Sequence, residues 1–170
     1  MDLNETNKTN PWVVCGRILF TACLAATILF IFSNSRQVAQ LSDQRSLAAL
    51  GRVQSILDRL GLTGLAARLD NHLIRKLGHF AEYTLEGFWL MLCTRVYTRH
   101  FVKHISWPVL GGLFTALCDE TIQLFSEGRS GQLTDVWIDF SGIMAGLFVG
   151  FLVLCLFRMF SILWRYRNEV

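Results

Sequence analysis

The chain reads as an all-α polytopic membrane protein: a four-helix transmembrane bundle with an interfacial amphipathic helical insertion between helices one and two. Three observations predict this. Hydrophobic residues make up 52% of the 170 residues and the mean hydropathy is +0.39, more apolar side chain than a soluble domain of this size can hide. Four apolar stretches are long enough, or nearly so, to cross roughly 30 Å of hydrocarbon as helices. The one long polar connection, between the first two stretches, carries a helical periodicity.

The four stretches fall at about 12–32, 78–98, 105–125 and 136–160, within a single domain spanning the chain. The first follows a polar, cation-poor leader at residues 1–10 and contains Arg17. That pattern differs from the short basic region, apolar run and small-residue cleavage site of a removable signal, so the segment is expected to stay as helix one. The insertion covers about 41–75, where Leu47, Leu50, Val53, Leu57 and Leu60 recur at steps of three and four with Gln44, Arg45, Arg52, Asp58 and Arg59 on the wetter side. A second short helix is expected from Thr63, as its cap, through Leu65, Leu69 and Leu73, after a turn at residues 60–64. Two placements of the insertion remain open: among lipid headgroups, or as a soluble cap on the bundle. In the last stretch Gly142, Gly146 and Gly150 recur every fourth residue, the pattern that lets a neighbouring helix approach closely.

Composition excludes several function classes. The five cysteines lie inside apolar segments without paired spacing or histidine neighbours, so they read as packing residues and not as a zinc site or disulfide framework. A formal charge of +3 spread along the loops gives no nucleic-acid-binding block. Cations concentrated in the 99–104 connection and the carboxy-terminal tail favour both termini in the cytoplasm.

Ionisable side chains are written into the apolar segments, and such groups at membrane depth are a functional-site hypothesis by default. His79 and Glu82 open the second stretch, Asp119, Glu120 and Gln123 close the third, and Asp135 and Asp139 open the fourth. Alternating helices therefore bring all three groups to one membrane face, near helix ends where water can reach. His79, Glu82, Tyr83 and Glu86 form an i, i+3, i+4, i+7 stripe, Asp119 and Gln123 are four apart, and Asp135 and Asp139 run into the glycine seam. Chemically, His79 beside carboxylates is a workable general acid or base, and crowding of Asp119, Glu120, Asp135 and Asp139 raises the proton affinity of at least one. Lys76 and Arg129, the latter flanked by Gly128 and Gly131, are placed to hold an anionic group, with Tyr83 beside them as a further contact. No cofactor motif is present, although an oxygen-rich cluster of this kind can hold a divalent cation. The structural counter-reading is that Lys76, His79 and Arg129 merely neutralise the acids and lock three helix ends together. Trp12, Trp107, Trp137 and Trp164 read as interfacial anchors, with Trp137 the one of interest because it lies between Asp135 and Asp139.

At these residues the chain resembles a known family. The run Arg75-Lys76-Leu77-Gly78-His79-Phe80-Ala81-Glu82-Tyr83, then Asp119-Glu120-Thr121-Ile122-Gln123, Gly128-Arg129-Ser130-Gly131, Asp135 and Asp139-Phe140-Ser141-Gly142, is similar to the signature of VanZ-like bacterial membrane proteins. Phe32-Ser33-Asn34-Ser35 is similar to the family's serine motif after the first helix. Two departures are Glu127, where many relatives carry proline, and Asp139, where asparagine is frequent. The resemblance implies a cell-envelope role connected with glycopeptide (teicoplanin-type) resistance, and it supplies no biochemical activity. Expected partners are membrane lipid and a lipid-linked envelope precursor or lipoglycopeptide. Three functions stay open: an enzyme acting on such a substrate, a noncatalytic binder that displaces it, and, ranked last because four spans with a site near one face leave little room for alternating access, a proton-coupled transporter.

Overall fold

A computed structural model describes residues 11–98 and 101–168, and all of the regular structure among these residues is helical. The helices are α1 (Pro11–Ser35), α2 (Ala39–Arg59), α3 (Thr63–Ala66), α4 (Asn71–Tyr97), α5 (Ser106–Leu124) and α6 (Leu133–Asn168), with a 3-10 turn at Phe101–His104 before α5. The leader at residues 1–10 and Arg99 lie outside the described residues.

Two of these helices, α1 and α6, are long and apolar enough to cross a membrane. Only 11% of the apolar window of α1 and 28% of that of α6 is buried, so neither is the core helix of a water-soluble protein. Large side chains such as Ile18, Leu29, Phe30, Phe148, Phe157 and Phe160 face outward instead. Helices α4 and α5 carry acids within their length and fall short of the same hydropathy.

The centre of the fold is the contact of α4 with α6. A Cβ at Gly142 would meet the Phe80 carbonyl oxygen at 2.6 Å, one at Gly146 would meet the Thr84 carbonyl, and one at Gly150 would meet Met91 Cβ at 2.8 Å. The partners advance together along both helices, so α4 and α6 run parallel with their backbones nearly touching. Gly87 answers from α4, where a side chain would strike the Ile143 carbonyl. This fourth glycine belongs to no repeat and is not expected from the sequence.

Helix α1 runs antiparallel to α4: Arg17 Nε donates to the Val96 carbonyl at 3.1 Å near one end, and Asn34 Nδ2 donates to Glu82 at 2.9 Å near the other. Helix α5 runs antiparallel to α6, with Gly112 against Ile143. Ile31, Tyr83, Met91, Ala116, Val136, Ile143 and Leu147 form the core between them.

The insertion differs from its expected form. Helix α3 stops at Ala66, and Thr63 is its first residue, not its cap. Asp70 instead caps α4, accepting from the Leu73 amide at 2.7 Å, so Leu73 belongs to α4 and that helix starts well before position 78. The α2 stripe is divided: Leu50 and Leu57 are half-buried while Leu47, Val53 and Leu60 face outward. Polar groups take part of the inward face, with Gln54 Nε2 donating to the Ala66 carbonyl at 3.2 Å and Ser46 buried.

The α4–α6 contact leaves no room for a methyl group. Gly146→Ala is expected to lower stability by about 1–3 kcal/mol through overpacking. Gly51→Ala, a mid-helix position in α2 with nothing within 4 Å, is expected to raise it by roughly 0.5–1 kcal/mol. Thermal unfolding in detergent, followed by circular dichroism, reads both.

Candidate functional site

Three helix ends meet at one end of the bundle. His79 lies in the first turns of α4, Asp119, Glu120 and Gln123 in the last turns of α5, and Asp135 and Asp139 in the first turns of α6. The parallel α4–α6 pair sets His79 beside Asp139, with Nδ1 3.6 Å from Oδ1. The antiparallel α5 then adds Asp119, so that ligand-type atoms of His79, Asp119 and Asp139 all lie within 4.8 Å of one another. Lys76 Nζ reaches Asp135 Oδ1 at 3.4 Å.

The acids divide by their hydrogen bonds. Both oxygens of Glu120 are engaged: Oε1 accepts from Gln123 Nε2 at 3.1 Å and Oε2 accepts from the Gln132 amide at 2.8 Å. Glu120 thereby ties the end of α5 to the loop that leads into α6. Asp119 accepts from the same Gln123 nitrogen at 3.0 Å through Oδ2 and keeps Oδ1 free. Asp139 is fully buried and neither of its oxygens has a hydrogen-bond partner. His79 Nδ1 is likewise buried without one.

The 125–132 loop closes the site from the side. Gly128 adopts φ +75°, which favours glycine, and the Glu127 carbonyl accepts from the Ala39 amide at 3.1 Å. Ser126 Oγ donates to the Ser35 carbonyl at 2.8 Å, linking the loop to the end of α1. Arg129 does not bridge the carboxylates. Its Nη2 donates to Ser42 Oγ of α2 at 2.7 Å, and Nη1 is buried without a partner. Burial lowers the proton affinity of this guanidinium and the nearby Arg75 adds to the effect, while Asp119, Glu120 and Asp43 oppose it. Arginine starts so high that Arg129 stays cationic at neutral pH. Around these groups lies a cleft of about 90 Å³, lined among others by Arg75, Lys76, His79, Arg129, Asp135 and Asp139.

Not every predicted residue reaches that cleft. Tyr83 is fully buried below it, facing Asp119, and Glu86 is deeper still, near Thr115. Glu82 turns toward α1, held by Asn34. Trp137 is 64% exposed and packs edge-on against Phe140 at a centroid distance of 6.3 Å, so it faces away from the acids. Trp12, Trp107 and Trp164 are also exposed. The sequence reading missed Asn34 and Ser42 as partners of Glu82 and Arg129, and Arg75 as a wall of the cleft with its own ion pair to Asp43 at 3.0 Å. Asn34 and Arg75 stood inside recognised motifs, which was the available signal. Nothing local marks Ser42.

An all-helical fold with outward-facing apolar helices and a polar site at one end defines a membrane-associated helical protein. The family model described as VanZ/LLP1 matches residues 18–163, and the chain belongs to that family. No curated protein and no solved structure matches it.

Gln123 Nε2 is shared as a donor by two buried acids, Asp119 and Glu120. Gln123→Leu is expected to cost about 1–3 kcal/mol, because Asp119 Oδ2 and Glu120 Oε1 both lose their partner. Chemical unfolding in detergent, compared with the wild type, measures the loss.

Proposed function

We propose that this protein is a multi-pass cell-envelope membrane protein whose cleft receives the anionic headgroup of a lipid-linked envelope substrate, contributing to glycopeptide (teicoplanin-type) resistance. The observation that supports this most is the convergence of His79, Asp119 and Asp139 with Lys76 and Arg129 at one end of the bundle. Isolated structural ion pairs would leave few free atoms, whereas here Arg129 Nη1, His79 Nδ1 and both Asp139 oxygens remain open.

In this reading α1, α4, α5 and α6 all cross the membrane. The acids of α5 then lie within about two turns of its end, where water reaches them, while Glu82 and Glu86 lie about three and four turns into α4. Arg129 and Lys76 grip a phosphate or carboxylate, and the His79–Asp139 pair with Asp119 moves a proton at the reacting atom. Glu120 positions the loop that carries Arg129. With both termini in the cytoplasm, the cleft opens on the outer face, where envelope precursors and lipoglycopeptides are found.

A second reading is a noncatalytic binder that captures or displaces a lipidated antibiotic or lipid headgroup. One observation favours it: α2, which holds Arg129 through Ser42, presents Leu47, Val53, Ile56 and Leu60 outward, a surface suited to acyl chains.

Cells expressing the wild type, Asp119→Asn or Arg129→Ala at matched membrane levels separate the two. In the enzymatic reading, mass spectrometry of envelope lipids and of added teicoplanin finds a product only with the wild type, and both variants lose the change in susceptibility. Identical spectra, with susceptibility kept by Asp119→Asn and lost by Arg129→Ala, support the binder. Topology is tested by thiol labelling in a cysteine-free background: a cysteine at Ser130 should react with an impermeant maleimide from outside intact cells, and one at Arg165 only after lysis.

A further inference from the structure

Asp139 combines a fully buried carboxylate with no hydrogen-bond donor to either oxygen, among the described residues. Burying a carboxylate in this state is costly, and a native site normally supplies a donor or a cation. Most donors nearby are committed elsewhere, and the unpartnered Tyr83 hydroxyl and Arg129 Nη1 make no hydrogen bond to it. Lys76 pairs with Asp135, Arg75 with Asp43, and Gln123 serves Asp119 and Glu120. What faces Asp139 is His79 Nδ1 at 3.6 Å, a distance too long for a hydrogen bond, and the free Oδ1 of Asp119 nearby. Three Lewis-basic groups thus point at one another across a small gap.

We propose that His79, Asp119 and Asp139 form a binding site for one divalent first-row transition metal ion, with zinc as the reference case. An imidazole and two carboxylates bind such an ion at roughly 2.0–2.2 Å each, which places ligand atoms on the order of 3.5 Å apart in a tetrahedral arrangement. The His79–Asp139 separation of 3.6 Å already matches, and closing the remaining pairs from within 4.8 Å takes small side-chain rotations. A nitrogen ligand favours zinc, iron or copper over magnesium and calcium, whose sites are built of oxygen. Among the described residues no cysteine sulfur joins the cluster, so a thiolate-seeking ion is not favoured.

Gln123 holds the second oxygen of Asp119 at 3.0 Å, the outer support that orients a ligating carboxylate. His79 and Asp139 line the cleft and Asp119 does not, so the ion would keep an open position on the side of Lys76 and Arg129. There it can take an oxygen of an anionic headgroup. That last consequence rests on the reading of the cleft as a headgroup site, whereas metal binding stands independently of any substrate.

The test is zinc titration of the full-length, tag-free protein in detergent, with His72, His100 and His104 replaced by Gln so that His79 is the sole imidazole. Isothermal calorimetry and elemental analysis should give one equivalent of bound zinc. Asp139→Asn and His79→Gln should each weaken binding by roughly 10–100-fold. Asp43→Asn, which breaks the Arg75 pair and touches none of the three ligands, should leave affinity unchanged. Should either ligand variant fail to fold, the Cu2+-loaded parent protein remains decisive: pulsed electron paramagnetic resonance should show coupling to an imidazole nitrogen, abolished by competing zinc. Absence of stoichiometric zinc, undiminished binding by folded Asp139→Asn, a copper signal without imidazole coupling, or preference for magnesium over zinc would each overturn the assignment.

Discussion

Everything at the polar end depends on how closely α4 and α6 approach. Gly87, Gly142, Gly146 and Gly150 remove the side chains that would hold the two backbones apart. Because the helices run parallel, residues equally far into each become neighbours. His79 and Asp139 are such a pair, and so are Lys76 and Asp135. A pair of helices separated by Leu or Phe side chains would put these groups several ångströms further apart, and the acids would face lipid or water singly. Backbone contact is thus the condition for a cluster, and α5 and α1 add Asp119 and Asn34 to what the pair has already set.

Within the cluster, hydrogen bonding separates residues that hold from residues that are free to act. Glu120 is saturated by Gln123 and the Gln132 amide, and its task is to fix the loop. Asp139, His79 and one oxygen of Asp119 have no such partners. Buried groups in that state oppose folding, so the tight helix contacts and the core around Tyr83 and Ile143 must offset them. The same division explains Arg129. Ser42 aims one nitrogen of the guanidinium, and the other is left over at the cleft.

Helix α2 connects the polar end to the outer surface. It is tied inward by Arg75–Asp43, by Arg129–Ser42 and by the Glu127 carbonyl to Ala39, all at its first turns. Further along, its apolar side chains turn away from the bundle, so it shields the cleft without filling it with hydrocarbon.

The sequence by itself determined the helical class, the close-packing seam at Gly142, Gly146 and Gly150, the grouping of His79, Asp119 and Asp139 at one end, and the family. Helical periodicity, four-residue glycine spacing and alternating direction are properties of a single chain read in one dimension, and they need no knowledge of neighbours. Tertiary structure alone decided which acids are free and which are spent. Asp119 and Glu120 are adjacent, equally acidic on paper and both served by Gln123, and the Gln132 amide on Glu120 distinguishes them. It also decided that Arg129 meets Ser42 instead of a carboxylate, that Trp137 faces outward, and that α2 shows half of its leucines to the surroundings. Those outcomes depend on rotations and separations between helices, which side-chain volumes set jointly across the bundle and no local pattern encodes.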